Sequence, residues 1–134
     1  MISLKHLEAF GEYRGIKIGL KGTVKRQSAE DLGKTLQEKL GSPVRVIGCK
    51  EVEKVSIVSG AAGDMVGQAS TEGLDAHITG ECGHHNFHQA EEGECVLILG
   101  GHYATETGGV KAVGKHLEEK FDIESEFLNY PTGL

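Results

Sequence analysis

No apolar run in these 134 residues approaches the ~20 needed to cross a bilayer, so a membrane-spanning helix is not expected. A basic face is also missing. Lysine and arginine number 14 against 20 acidic residues, a formal charge of -6, whereas a protein that grips nucleic acid through phosphate contacts needs the opposite sign. The main basic stretch, 21–26, holds three cations and reads as a solvated strand end. Cysteine is scarce: Cys49, Cys82 and Cys95 form an odd set with no Cys-x-x-Cys pair, which argues for reduced thiols and a cytoplasmic location. Cys49 and Cys95 flank apolar runs and are expected in the core. Cys82, beside Glu81 and a histidine pair, reads as pocket wall, with a thiolate ligand the less favoured alternative. The first ten residues carry Lys5, His6 and Glu8, which is not the pattern of a signal peptide. There is no internal repeat, low-complexity tract or linker. With 38% hydrophobic and 25% charged residues, the chain reads as one globular domain over 1–134, long enough to bury a core.

What is abundant is glycine, 20 residues gathered at the ends of the expected elements, where turns need it. Residues 1–13 mix apolar and charged positions without a period and read as a helix end and a loop. Positions 15–22 alternate with period two, the mark of a half-buried strand. Ser28-Ala-Glu-Asp resembles a capping box and opens a helix with Leu32, Leu36 and Leu40 on one face, stopped by Gly41-Ser-Pro. Strands are expected at 44–47, 55–58, 76–79 and 95–99, the last a continuous apolar run suited to a buried parallel strand. Helices are expected at 65–71, 84–92 and 105–120, the longest turning Val110, Val113 and Leu117 inward, and a final strand at 123–128. The alternation from Val55 onward predicts βαβ units, hence a layered α/β/α fold on a mostly parallel mixed sheet.

Four of the seven histidines, His84, His85, His88 and His102, follow the carboxyl ends of expected strands, where ligands gather in open α/β sheets. His102 and Glu106 are four apart at a strand-to-helix junction, so both can lie on one side of a first helical turn and share a metal ion. An imidazole with a carboxylate suits zinc, manganese or iron better than calcium. The plainer alternative is that Glu106 favours the helix dipole and His102 caps locally. Glu81, His84 and His85 leave a different strand at the same sheet edge, and with Thr105 they are expected to line the same pocket, orienting water or a polar substrate. His88 is left out of the site. His6, His77 and His116 lack a partner cluster and are expected at the surface or the core edge. Ser59, Gly60 and Gly63, in a glycine turn between strand and helix, form a possible anion-binding loop, with a tight turn led by Asp64 as the bland alternative. The loop matches neither the dinucleotide fingerprint nor the P-loop, and there is no nucleophile elbow. The residues by themselves assign no catalytic group.

Three strings carry a resemblance: Val-Ser-Ile-Val-Ser-Gly-Ala-Ala-Gly-Asp (55–64), Ile-Thr-Gly-Glu-Cys-Gly-His-His (78–85) and Gly-Gly-His-Tyr-Ala-Thr-Glu-Thr-Gly-Gly (100–109). Together with Asn-Tyr-Pro-Thr-Gly near the C-terminus, their order and spacing resemble the Nif-three-like family of dinuclear-metal-centre proteins, often labelled homologues of a type two GTP cyclohydrolase I. The resemblance implies that His102 and Glu106 are metal ligands and that Glu81, His84 and His85 line the cleft. It further implies two divalent transition metals (Zn, Mn or Fe) per site in the intact protein, a ring-shaped hexamer, and a metal-dependent hydrolase acting on a nucleotide-like or other phosphorylated or cyclic substrate. The chain resembles the C-terminal half of such a protein; the His-His pair and the His-x-x-x-Asp segment expected of the other half have no counterpart before His84. The alternative is a non-catalytic interaction or assembly module with a protein partner and an incomplete metal site.

Overall fold

The computed structural model describes residues 2–132. Its strands are β1 (Lys5–Tyr13), β2 (Ile16–Ser28), β3 (Arg45–Ile47), β4 (Glu51–Ile57), β5 (Ala76–Thr79) and β6 (Val96–Leu99). Its helices are α1 (Ala29–Leu40), α2 (Val66–Thr71, entered by a 3-10 turn, Gly63–Met65), α3 (His84–Glu92) and α4 (His102–Phe121). The strands form one sheet in the order β1-β2-β4-β5-β6-β3. The neighbours β4–β5 and β5–β6 are parallel; β1–β2, β2–β4 and β3–β6 are antiparallel. The mixed α/β sheet is as expected, but it is not mostly parallel: parallel pairing is confined to its middle, where α2 and α3 supply the crossovers that parallel strands need, and the hairpin β1–β2 and edge strand β3 add antiparallel pairs. The β1–β2 connection is the two-residue turn Arg14-Gly15, both at positive φ (51° and 80°), and a turn of that hand closes an antiparallel hairpin.

Two apolar clusters sit on opposite faces of the sheet. On one face Val66 and Ala69 of α2 and Ala90 of α3 pack with Phe10, Val58 and Leu97. On the other, Leu32 and Leu36 of α1 pack with Val24, Val55, Ile78 and Ile98. Alternate residues of β6 thus serve different layers, so its sequence has no polar position, and the α/β/α layering follows. Helix α1 has the ends its sequence announces: Ser28 Oγ accepts from Asp31 N at 3.1 Å, and Gly41 closes it at φ 63°.

Several expectations need correction. The 1–13 stretch is no helix end; most of it is β1, whose period is broken by a bulge between Lys5 and Glu8 and by positive φ at His6 and Gly11. Lys21–Arg26 lies within β2, and Lys21 is ion-paired to Glu8 (3.2 Å) and Glu72 (3.0 Å). The expected strand at 123–128 is absent. That segment turns back along α4, where Ser125 N and Oγ donate to Glu118 Oε1 (3.1 and 2.8 Å) and Tyr130 N donates to Tyr103 Oη (2.7 Å). Helix α4 begins at His102 rather than Thr105, and Val110 and Val113 face outward at 62% and 59% exposure. It leaves the sheet from the end of β6 and crosses neither face, so among the described residues the sheet leaves Val110 and Val113 uncovered while Leu117 is half-buried. Cys49 is exposed in the turn after β3, not in the core, while Cys95 is buried as expected. Among the described residues no helix is long and apolar enough to cross a membrane.

Candidate functional site

The loops after β4, β5 and β6 meet at one sheet edge, stitched by backbone and threonine groups. Gly60 O accepts from Gly80 N (2.9 Å), Glu81 N (3.2 Å) and Thr79 Oγ1 (3.0 Å). Gly100 N donates to Thr79 O and Gly101 N to Gly80 O, both at 2.9 Å. Thr105, in the first turn of α4, accepts from Gly60 N at 3.0 Å while its hydroxyl faces Gly101 O at 3.0 Å. The packing is too close for a side chain at position 80, where a Cβ would lie 2.7 Å from Gly60 O and from Thr105 Oγ1. This Gly-Gly-Thr clasp fixes the first turn of α4 against the sheet.

On that turn His102 and Glu106 come together as their spacing predicts, with Nε2 3.4 Å from Glu106 Oε2. Glu81, from the β5–α3 loop, reaches the other ring nitrogen, its Oε1 2.8 Å from Nδ1. An ionised carboxylate only accepts, so Nδ1 carries a proton. Glu81, as hydrogen-bond partner, and the nearby Glu106 charge together hold His102 above the usual imidazole range against a smaller opposing effect of burial. Gly60, at φ 71°, faces this pair; a Cβ there would sit 2.6 Å from Glu106 Oε1 and 3.3 Å from His102 Nε2. The missing side chain leaves a corner onto which one imidazole nitrogen and one carboxylate converge, a donor set that fits a divalent transition metal. Among the described residues no group of three or more His, Cys, Asp or Glu is arranged to hold a metal ion.

The other expected residues divide. Glu81 and Thr105 join the cluster. His85 turns to Asp64, Nε2 to Oδ1 at 2.7 Å, and His84 packs its ring edge-on against His88, centroids 5.6 Å apart. Cys82 packs against the core, and burial pushes its thiol up. In the glycine loop, the amide of Gly60 is taken by Thr105 and that of Ala62 by Thr79 Oγ1 (3.2 Å). Neither is free for an anion, and Gly60 serves by making room beside His102.

Two features escape sequence reasoning. His77, expected at the surface or core edge, is fully buried; its Nε2 lies 2.9 Å from Ala62 O and its Nδ1 2.9 Å from Ser56 Oγ. A carbonyl cannot donate, so Nε2 carries the proton and anchors the loop that contains Gly60. Burial pushes His77 down to about 4. Asn86 is buried at 1% exposure, accepts from Gly83 N (2.7 Å) and donates to Asp64 Oδ1 (2.8 Å). That bond, then the one from His85, holds Asp64 below the usual carboxylate range. The available signal for Asn86 was its place three residues past a glycine at a helix start.

The family described as Duf34/NIF3 (NGG1p interacting factor 3) matches residues 1–132. Among named relatives, a "GTP cyclohydrolase 1 type 2 homolog" of Pyrococcus abyssi is 42% identical over all of this chain and 55% of its own length. One of the same name from Deinococcus radiodurans is 37% identical over 99% of this chain and 52% of its own. Among solved structures, TTHA1606 from Thermus thermophilus superposes with a TM-score of 0.80 at 33% identity, covering 98% of this chain and 52% of that one. A protein of unknown function, ybgI, gives 0.84 at 26% identity, over 96% and 53%. The chain thus spans about half the length of the relatives it matches.

Proposed function

The chain belongs to the Duf34/NIF3 family, and we propose that it contributes His102 and Glu106 as ligands to a divalent transition metal (Zn, Mn or Fe) in a metal-dependent hydrolase of the GTP cyclohydrolase 1 type 2 homolog kind. The observation that carries this reading is the convergence of His102 Nε2 and Glu106 on the corner left open by Gly60. A metal bound there supplies Lewis acidity toward a carbonyl or phosphoryl oxygen and acidifies a bound water. His102 and Glu106 would hold and orient the ion, and Thr105 clasps their turn to the sheet. Two ligands from one helical turn hold an ion weakly, so a complete centre, with the second metal that the family resemblance implies, would need ligands beyond these two. Unpaired cysteines among the described residues support a reducing, cytoplasmic setting.

Equilibrium dialysis against Zn, Mn and Fe with elemental analysis tests the metal reading. About one equivalent is expected at saturation, with affinity reduced at least ~10-fold by His102→Ala or Glu106→Gln. Binding below about a tenth of an equivalent, or unaltered in both variants, would refute it.

A second reading, an assembly module that forms a homo-oligomer or docks a protein partner, draws support from exposed apolar residues: Ile16, Ile18 and Leu20 on β2, and Val110, Val113 and Phe121 on α4. Sedimentation at micromolar concentration should then show self-association; a compact monomer speaks against it.

A further inference from the structure

The two carboxylates around His102 are not equivalent. Glu106 comes from the same helical turn, where its separation from the ring is a matter of helix geometry. Glu81 comes from the loop after β5, 21 residues earlier, and makes the shorter contact, 2.8 Å to Nδ1. Its approach is built into the backbone: Glu81 N is tied to Gly60 O, and the bare Cα of Gly80 lets the loop press against α4, where a Cβ would lie 2.8 Å from His102 Cα.

We propose that Glu81 is the positioning residue of this centre: by accepting the Nδ1 proton of His102 it fixes the ring so that Nε2 presents its lone pair to the corner shared by Gly60 and Glu106. A neutral imidazole has one N–H. If Nδ1 does not carry it, Nε2 does, and a protonated Nε2 cannot ligate a cation. Without Glu81 the ring could also turn about its side-chain bonds, since no other side chain holds Nδ1 among the described residues. Glu81 therefore acts through His102 and makes no contact with the ion itself. The role rests on the reading of His102 and Glu106 as metal ligands.

The test compares Glu81→Ala, Glu81→Gln and His102→Ala with the unaltered chain, using Zn²⁺ alone as probe and a metal-free measurement beside it. Zn²⁺ affinity by calorimetry should fall about 10- to 100-fold in Glu81→Ala. It should fall less in Glu81→Gln, whose amide oxygen still accepts from Nδ1, and furthest in His102→Ala. In the metal-free protein at about pH 9, above the ordinary imidazole range, long-range ¹H–¹⁵N NMR should find the His102 proton on Nδ1. It should stay there in Glu81→Gln and be redistributed in Glu81→Ala, with the remaining amide spectrum unmoved. A proton found on Nε2 in the unaltered chain overturns the proposal outright. So does Zn²⁺ affinity unchanged in Glu81→Ala while His102→Ala loses binding, an outcome that leaves the metal reading standing. If His102→Ala binds Zn²⁺ like the unaltered chain, the metal reading fails instead. The tautomer then decides for Glu81 alone: retention on Nδ1 in Glu81→Ala overturns the positioning role, and loss supports it.

Discussion

Helices α1 and α4 carry apolar stripes of the same kind and meet opposite fates. Leu32 and Leu36 of α1 are buried against the sheet, whereas Val110 and Val113 of α4 face outward and α4 buries no described residue. Period alone therefore says which face of a helix seeks cover, not whether the fold supplies it. The difference follows from where each helix leaves the sheet. Helix α1 returns across a sheet face, while α4 sets out from the end of β6 and is tied to the sheet at its first turn, by Thr105 to Gly60 and Gly101 to Gly80. That turn carries His102 and Glu106. One helix holds the core together and the other mounts the site.

The contrast should be largest in side-chain truncation. Leu32, at 1% exposure, should lose roughly 3 kcal/mol on Leu32→Ala, while Val113→Ala should stay within about 0.5 kcal/mol, read from urea midpoints. Equal losses would mean that α4 is covered after all. Next comes acid. His77 titrates near 4 in the fold and near 6.5 when unfolded, so below about pH 6.5 the unfolded chain binds a proton that the folded chain refuses. Stability should be full above that pH and fall by on the order of 3 kcal/mol as pH drops toward 4. Urea midpoints that are flat between pH 7 and 5 would contradict the burial of a neutral His77 and its hold on the Gly60 loop.

The smallest effects separate two glycines. Gly80→Ala pushes a Cβ to 2.7 Å from Gly60 O and should destabilise by about 2 kcal/mol while loosening the clasp. Gly109→Ala, with open space around it in α4, should stabilise by up to about 1 kcal/mol, since alanine is the better helix former. Thermal melts that rank the two the other way would break the distinction between mount and core.

Much of this was legible wherever the signal was local. The cap at Ser28, the Leu32–Leu36 spacing and the stop at Gly41 define α1; β5 and α3 fall at the expected residues; and the i, i+4 spacing of His102 and Glu106 survives although α4 starts three residues early. What was hidden depends on partners distant in sequence. Strand β1 exists because β2 pairs with it through a bulged register, and the alternation at 123–128 forms no strand because no sheet edge receives it. His77 sits in a strand covered on both faces, so a polar residue there is buried and bonded rather than exposed. Glu81 stands 21 positions from His102, and no spacing rule joins them; the bare backbone at Gly80 and Gly60 does.

The central claim is that His102 Nε2 and Glu106 hold one divalent ion at the Gly60 corner. Anomalous diffraction at the zinc edge from crystals soaked in Zn²⁺ tests it most directly. The account predicts a peak about 2.0–2.2 Å from both His102 Nε2 and a Glu106 oxygen, with Glu81 still on Nδ1. No peak there, or zinc bound through Nδ1 with Glu81 displaced, would contradict it.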